Sequence, residues 1–473
     1  MKFLTLILAF LFSIELPAQT TNPGFIVKPY LQIGSNPSNT SLQLLWHTAE
    51  TGATWLAEYK TNTQWIKAEG QTTNKITTAG IEPFSIYDAS FSSLIPGNKF
   101  MYRVSKNGTV IFTATAKAPK AATQAFRFVA SGDMGAGTTA AKQIANGIYK
   151  AGPDLVAIAG DIVYEYGLIT DYTTKFWPIY NADKADTVGV PLLRTIPFIA
   201  AVGNHDADTR DLDKFPGALA YYLFWDQPLN GPMGKEGGPF VPLLKGSDAN
   251  KSAFINAAAD KYPRMTNFSF NYSNTHWTVI DADNYVDWTD SALKNWVAND
   301  LAGSKDADWH FVLYHQPGFS SSNEHFEQQQ MRLLAPVFEK GNVDIVFNGH
   351  VHNYQRSYPL TFVPDKSGVL MFGGKDNKTP RGRVVNGKWT LDKKFDGKKN
   401  TKPNGVIYIV TGAGGQTLYN PEQQADPDTW QKFTEKFIST IHSFTVVDIN
   451  GKNLKLHQVD VNGKEVDVLN INK

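Results

Sequence analysis

The apolar positions along the chain fall into two regimes. Between Gly24 and about Lys120 they form short runs with partial alternation, Leu42-Gln43-Leu44-Leu45-Trp46-His47 and Phe100-Met101-Tyr102-Arg103-Val104 among them, separated at short intervals by Gly, Pro and Asn. Period-two alternation broken by turn residues predicts an all-β domain over 24–120. The loose stretch Ala118 to Gln124 reads as a linker, and after it the pattern changes. Phe126 to Ala130, Leu155 to Ala159, Phe198 to Val202, Thr278 to Ile280, Phe311 to Tyr314, Val343 to Val346 and Val406 to Val410 are apolar or β-branched runs of strand length. Thr138 to Lys150, with Ile144 and Ile148, and Ser291 to Leu301 have helical spacing. Such alternation of strands and helices predicts a parallel or mixed sheet covered by helices over 125–473. No internal repeat is present.

Nearly every strand of the second regime ends in a short polar motif. They are Ser131-Gly132-Asp133-Met134-Gly135, Gly160-Asp161-Ile162-Val163-Tyr164, Gly203-Asn204-His205-Asp206, Tyr314-His315-Gln316-Pro317 and Phe347-Asn348-Gly349-His350-Val351-His352. Any one of these alone reads as an ordinary turn, because Gly, Asp and Asn favour turns for backbone reasons. Five at strand ends in one α/β unit point to a site, since that is where such sheets present their chemistry. Two imidazoles one residue apart on an extended loop diverge, so His350 and His352 suit two different metal ions better than one.

Composition narrows the chemistry. With no cysteine there is neither disulfide nor thiolate ligand, so a metal must be held by His, Asp, Glu, Asn or Tyr. The balance of 45 basic and 44 acidic residues gives no electrostatic support for a nucleic-acid partner. The patch Lys393-Lys394 with Lys398-Lys399 reads as a solvated loop. Met1-Lys2, the apolar run Phe3 to Leu16 and Pro17-Ala18-Gln19 predict a signal peptide over 1–18 and a secreted or periplasmic mature protein. The run contains Ser13 and Glu15 and falls short of the roughly 20 residues of a spanning helix, so no membrane span is expected in the mature protein.

Two resemblances follow from these residues. Leu94-Ile95-Pro96-Gly97-Asn98-Lys99-Phe100-Met101-Tyr102 resembles the turn and strand of fibronectin type III domains, with Phe100 where that family often carries its corner tyrosine. The motifs of Asp133, Asp161 with Tyr164, Asn204 with His205, His315, and His350 with His352 resemble the purple acid phosphatases, a branch of the calcineurin-like metallophosphoesterases. Asn353 to Ser357 and Gly405 to Gly415 look like the same family, and the similarity extends over most of the mature chain. The fold this implies is an N-terminal all-β fibronectin type III-like sandwich, then an α/β (α+β) metallophosphoesterase domain with a central β-sandwich flanked by helices.

The resemblance also implies a binuclear metal centre. One ion would be held by Asp133, Asp161, Tyr164 and His352, the other by Asp161, Asn204, His315 and His350, with Asp161 bridging ions about 3.5–4 Å apart. The first set, rich in hard anionic oxygens, suits Fe(III), and the second suits Zn(II), Fe(II) or Mn(II). Many relatives outside the purple branch have a His where this chain has Gly135, and Tyr164 takes that ligand's place. The implied activity is hydrolysis of small phosphomonoesters, as in acid phosphatases, by a hydroxide held on the metals. His205 and His325 would bind phosphate and protonate the leaving group. Asp206 reads equally as a partner that orients His205 or as a turn brace. Alternatives are a phosphodiesterase or nucleotidase on the same metals, or a surface binding protein that uses the fold as a scaffold. The stretches 221–254 and 359–404, the second with Trp389, are candidate walls of the site. His47, His276, His310, His442 and His457 read as structural. Asn39-Thr40-Ser41 and Asn107-Gly108-Thr109 fit the glycosylation pattern.

Overall fold

The computed structural model describes residues 24–49, 52–78, 80–373 and 377–473, so the expected leader at 1–18 lies outside the described residues. The strand Leu155–Ala159 shows why the second regime lacks alternation. All five residues are buried. Val156 and Ile158 pack into a cluster with the helix residues Ile144 and Ile148. Leu155, Ala157 and Ala159 face the other way, into a cluster with Phe311 and Phe347. A strand covered on both faces needs apolar residues at every position.

Two sheets enclose that second cluster. In the first, 198–201, 155–159 and 126–131 run parallel in that order, and 443–450, 453–460 and 465–472 continue it antiparallel. In the second, 275–279, 309–313, 345–348 and 407–411 run parallel, flanked by antiparallel 268–272 on one side and by 354–357 and 434–438 on the other. Phe128 from the first sheet meets Trp277 and Phe311 from the second with ring centroids 4.9 and 5.4 Å apart. The arrangement is a β-sandwich of mixed sheets, covered outside by helices such as Thr139–Ala151. Thr138 caps that helix by accepting from the Ala141 N–H at 3.1 Å. At its other end Gly152 takes φ 65° and donates to the carbonyls of Ile148 and Tyr149.

Strand positions agree with the sequence reading to within a few residues. The largest difference is the run expected at Thr278 to Ile280, which is the strand Thr275–Val279. Its first residues look polar, but His276 is buried with its ring nitrogens on Asn271 at 2.9 Å and Asp300 at 3.0 Å. Satisfied polar side chains under a helix extended the strand where hydropathy ends it.

Residues 25–117 form two four-stranded antiparallel sheets around a core that includes Trp46, Trp55, Phe91 and Tyr102. Phe100 is buried, and it is Tyr102 whose hydroxyl finds a partner, the Arg194 carbonyl at 2.9 Å in the following unit. Leu31 N–H to the Leu193 carbonyl and Tyr30 O–H to the Phe224 carbonyl, both 2.8 Å, join the two parts further. His47 lies in this interface, bonded to Tyr30 and packed on Phe224.

Nearby, Asp88 faces Asp226 across the same interface. Burial and the Asp226 charge push Asp88 up to about 7, against Gln43 and Lys261, which pull it down. An acid whose pKa is raised by folding binds more protons folded than unfolded, so its contribution to stability falls as pH rises from about 4 to about 7. Asp88→Asn is therefore expected to raise the thermal midpoint relative to the natural chain at pH 8 and to leave it within roughly 1 °C at pH 5, as scanning calorimetry at both pH values would measure.

Candidate metal centre

The five polar motifs come together at one edge of the sandwich. Asp133 and Asp161 follow parallel strands of the first sheet, and Asn204 opens a short helix after the third. His315 and His350 follow strands of the second sheet. Asp133, Asp161 and His350 have φ of 60°, 49° and 66°, the left-handed region that non-glycine residues rarely occupy. Strain of that kind persists where the surroundings enforce it, and it concentrates at working sites.

The side chains of these motifs face one another closely. His315 Nδ1–H donates to the Ala159 carbonyl at 2.7 Å, which turns Nε2 toward Asp161 Oδ2 at 3.2 Å. His352 Nδ1–H likewise donates to the Thr417 carbonyl at 2.7 Å, leaving Nε2 3.4 Å from Asp133 Oδ1 and 3.3 Å from the Tyr164 hydroxyl. Backbone acceptors of this type fix the tautomer and aim of a metal-ligating imidazole. The Tyr164 hydroxyl is 2.8 Å from Asp133 Oδ1. One ligand atom each from Asp161, His315 and His350 fall within 4.8 Å of one another. Asn204 Oδ1, His315 Nε2 and His350 Nε2 are buried with no hydrogen-bond partner. His315 Nε2 has at least the Asp161 carboxylate beside it, but buried ligand atoms such as Asn204 Oδ1 and His350 Nε2 are costly unless a cation takes them up.

The electrostatics agree with that reading. Burial alone would raise Asp161, but the imidazoles of His315 and His205 hold its carboxyl below the usual carboxylate range. Against burial, Asp161 pushes His315 up to about 10. Burial, with the neighbouring histidines, drives His350 well below its ordinary value, so its ring is neutral and free to ligate. Burial and the Asp133 charge raise the Tyr164 hydroxyl.

The remaining sequence candidates separate. His205 lies beside the Tyr164 ring, centroids 4.4 Å apart, with Nδ1–H donating to the Glu165 carbonyl at 2.7 Å. His325 has its ring 4.0 Å from that of His350. Asp206 is the turn brace, since its Oδ2 accepts from the Gly203 and Ile162 N–H groups. His310 bonds the Ser304 carbonyl and His457 the Glu465 carboxylate, while His442 bonds the Ala413 carbonyl in the loop that passes Asp133.

The long stretches expected to wall the site do otherwise. In 221–254, Tyr221, Tyr222 and Phe254 are buried core, and Trp389 of 359–404 packs on Phe362 and Phe433. The hairpin strands Val369–Gly373 and Thr379–Val384 buttress the His325 segment, with Arg383 O accepting from Gln329 N–H at 2.8 Å. The ring that does stand at the site is Tyr419, stacked on His352 at 4.0 Å and 13°. Sequence reading passed over it. The signal was its place in the loop that follows strand Ile407–Thr411, at the same edge as the other motifs.

Two glycines keep the donors together. At Gly160, φ 79°, a Cβ would stand 2.5 Å from His315 Nδ1, and at Gly203 one would stand 2.3 Å from Asp161 Oδ1. Gly203→Ala is expected to lower bound metal in reconstituted protein, by elemental analysis, to less than about half, because the new methyl would stand 2.3 Å from Asp161 Oδ1 and 2.4 Å from its backbone nitrogen, and the carboxylate cannot keep its place. Ions that bind the folded chain alone also stabilise it, by about 2.7 kcal/mol at a hundredfold excess over Kd, so removal with a chelator should lower the thermal midpoint and replenishment restore it.

Comparison with known proteins agrees with this geometry. Residues 126–354 match the family described as calcineurin-like phosphoesterase. The chain is 22% identical over 423 residues to an uncharacterized protein of Mycobacterium tuberculosis, covering 82% of this chain and 69% of that one. It is 25% identical over 310 residues to probable inactive purple acid phosphatase 27 of Arabidopsis thaliana, covering 59% of this chain and 45% of that longer protein. Among solved structures, purple acid phosphatase PPD1 from yellow lupin (Lupinus luteus) seeds shares the fold, with a TM-score of 0.66 at 18% identity over 96% of this chain and 75% of that one. No helix among the described residues is long and apolar enough to cross a membrane. With the strand-end motifs, the sandwich and these matches taken together, residues 126–354 form a calcineurin-like phosphoesterase domain, and the chain is similar to purple acid phosphatases over most of its length.

Proposed function

We propose that this chain is a phosphatase of the acid phosphatase type, hydrolysing phosphomonoesters at a binuclear metal centre. The observation that carries the reading is the position of Asp161, buried against His315 Nε2 at 3.2 Å while His350 Nε2 and Asn204 Oδ1 are buried without a hydrogen-bond partner. Asp133, Asp161, Tyr164 and His352 would hold Fe(III), and Asp161, Asn204, His315 and His350 a divalent ion, Zn, Fe or Mn. Bound there, the ions would polarise the phosphoryl oxygens and lower the pKa of water.

The chain's own residues do the rest. Gly160, Gly203 and the Ala159 and Thr417 carbonyls keep the ligands aimed. His205, held through Nδ1 by the Glu165 carbonyl, keeps Nε2 3.9 Å from Asp161 Oδ2, placed to carry a proton to the departing alkoxide. His325, over the His350 ring, is placed to contact the phosphoryl group. No Cys or Ser nucleophile is called for, since all the positioned groups are ligands or proton carriers. We read 24–120 as a fibronectin type III-like domain, supported by its two antiparallel sheets, and 125–473 as the catalytic unit of an exported protein.

The test compares p-nitrophenyl phosphate with its bis(p-nitrophenyl) diester on protein of determined metal content. Faster monoester turnover with about two metals per chain is expected. Diester preference would turn the reading to a phosphodiesterase, and a metallated protein without turnover would leave the scaffold reading. Asp161→Asn should lower monoester turnover by at least about 10³-fold, since it removes the bridging charge. Tyr164→Phe should abolish any visible tyrosinate-to-Fe(III) absorption of the iron-loaded protein.

A further inference from the structure

Two exposed carboxylates stand beside residues of the centre. Glu165, next to Tyr164, and Glu324, next to His325, are both exposed. Among the described residues neither has a Lys or Arg nitrogen within 4.0 Å, and the one ionic neighbour of Glu165 is His205 Nδ1 at 3.8 Å. The cations around these segments have other partners: Lys175 lies on the Tyr164 carbonyl and 3.0 Å from Asp171, and Arg210 pairs with Asp208 at 3.8 Å, Arg381 with Glu327 at 3.6 Å and Arg383 with Asp287 at 3.6 Å.

Tyr419 stands between the segments that carry these carboxylates. Its ring stacks on His352 at 4.0 Å and lies 5.8 Å from that of His325. Asn420, one residue on, accepts at Oδ1 from the Glu324 N–H at 3.2 Å. On the other side the Glu165 carboxylate lies 3.8 Å from His205 Nδ1, and the Tyr164 hydroxyl before it lies 3.3 Å from His352 Nε2. Exposed Tyr166 follows Glu165, and exposed Phe326 stands two residues beyond Glu324.

Carboxylates set around an aromatic ring recognise cations, by Coulomb attraction and through the ring's quadrupole, and they repel anions. We infer that this centre selects phosphomonoesters whose leaving alcohol carries an alkylammonium group, and discriminates against those whose leaving group is itself anionic. Glu324 and Glu165 are the specificity-determining residues, with Tyr419 as the ring on which the cation rests. The inference rests on the hydrolase reading above and adds the substrate class.

The metal-loaded full chain would be assayed for kcat/KM on choline phosphate, on its uncharged carbon isostere 3,3-dimethylbutyl phosphate and on phosphoglycolate, with p-nitrophenyl phosphate as reference. The expected order is ammonium, neutral, carboxylate, with a spread of about tenfold or more at low ionic strength that shrinks in about 0.5 M NaCl. Glu324→Gln and Glu165→Gln change exposed side chains and should each cut the ammonium-to-carboxylate ratio by about threefold, with circular dichroism checking the fold. Hydrolysis with a flat or reversed order, or a ratio that neither variant moves, would overturn the inference and leave the hydrolase reading standing. No hydrolysis of any ester, the reference included, would overturn both.

Discussion

Asp161 is about 1% exposed, and its strongest neighbours are imidazoles, whose positive charge lasts only while they hold a proton. Asp133, fully buried close by, accepts from Tyr164 and from the His350 backbone. Two desolvated carboxylates with no permanent cation between them are an expensive arrangement for an apolar sandwich to hold. Multivalent ions held as proposed would settle the charge and at the same time satisfy Asn204, His315 and His350.

That arrangement requires the sandwich. Asp133, Asp161 and Asn204 come from one sheet and His315 and His350 from the other, so each proposed ion draws ligands from both. Their meeting depends on two parallel sets of strands ending at a common edge, with the Phe128, Trp277, Phe311 and Phe347 rings fixing the separation of the sheets behind it. The close approaches at Gly160 and Gly203 set the tolerance, since a single methyl at either would enter a donor's space. Packing in the core and coordination at the edge are therefore one constraint.

The parallel strands and the polar motifs at their ends were legible in the sequence because both are local signals, whereas the antiparallel strands 443–450, 453–460 and 465–472 that complete the first sheet were not read one by one. Leu155 to Ala159 is apolar at every position since both its faces are covered, and the donor motifs sit directly at strand ends. The rim was not legible. Tyr419 stands eight residues beyond the strand that delivers it, and nothing in its neighbours marks it as facing His352. Aromatic and glycine content suggested walls at 221–254 and 359–404, yet Tyr221, Tyr222 and Trp389 turn inward, because large rings are driven to the core whatever segment carries them. Composition gives a side chain's tendency to be buried and leaves open which surface it buries against. Asp206 was undecided for a related reason: an Asp after an Asn-His pair can brace its turn or its neighbour, and only backbone geometry chooses.

An acidic rim around a phosphate-binding centre looks self-defeating, but distance resolves it. Multivalent ions held as proposed would act on phosphoryl oxygens in direct contact. The Glu165 and Glu324 carboxylates are exposed to solvent and act across it, where salt reduces their reach to about 10 Å or less. The ions then determine whether a phosphate ester binds, and the rim bears on what is attached to it. Separating the two lets a family keep its ligands unchanged while loops beyond the strand ends, here those carrying Glu165, Glu324 and Tyr419, change the alcohol that is accepted.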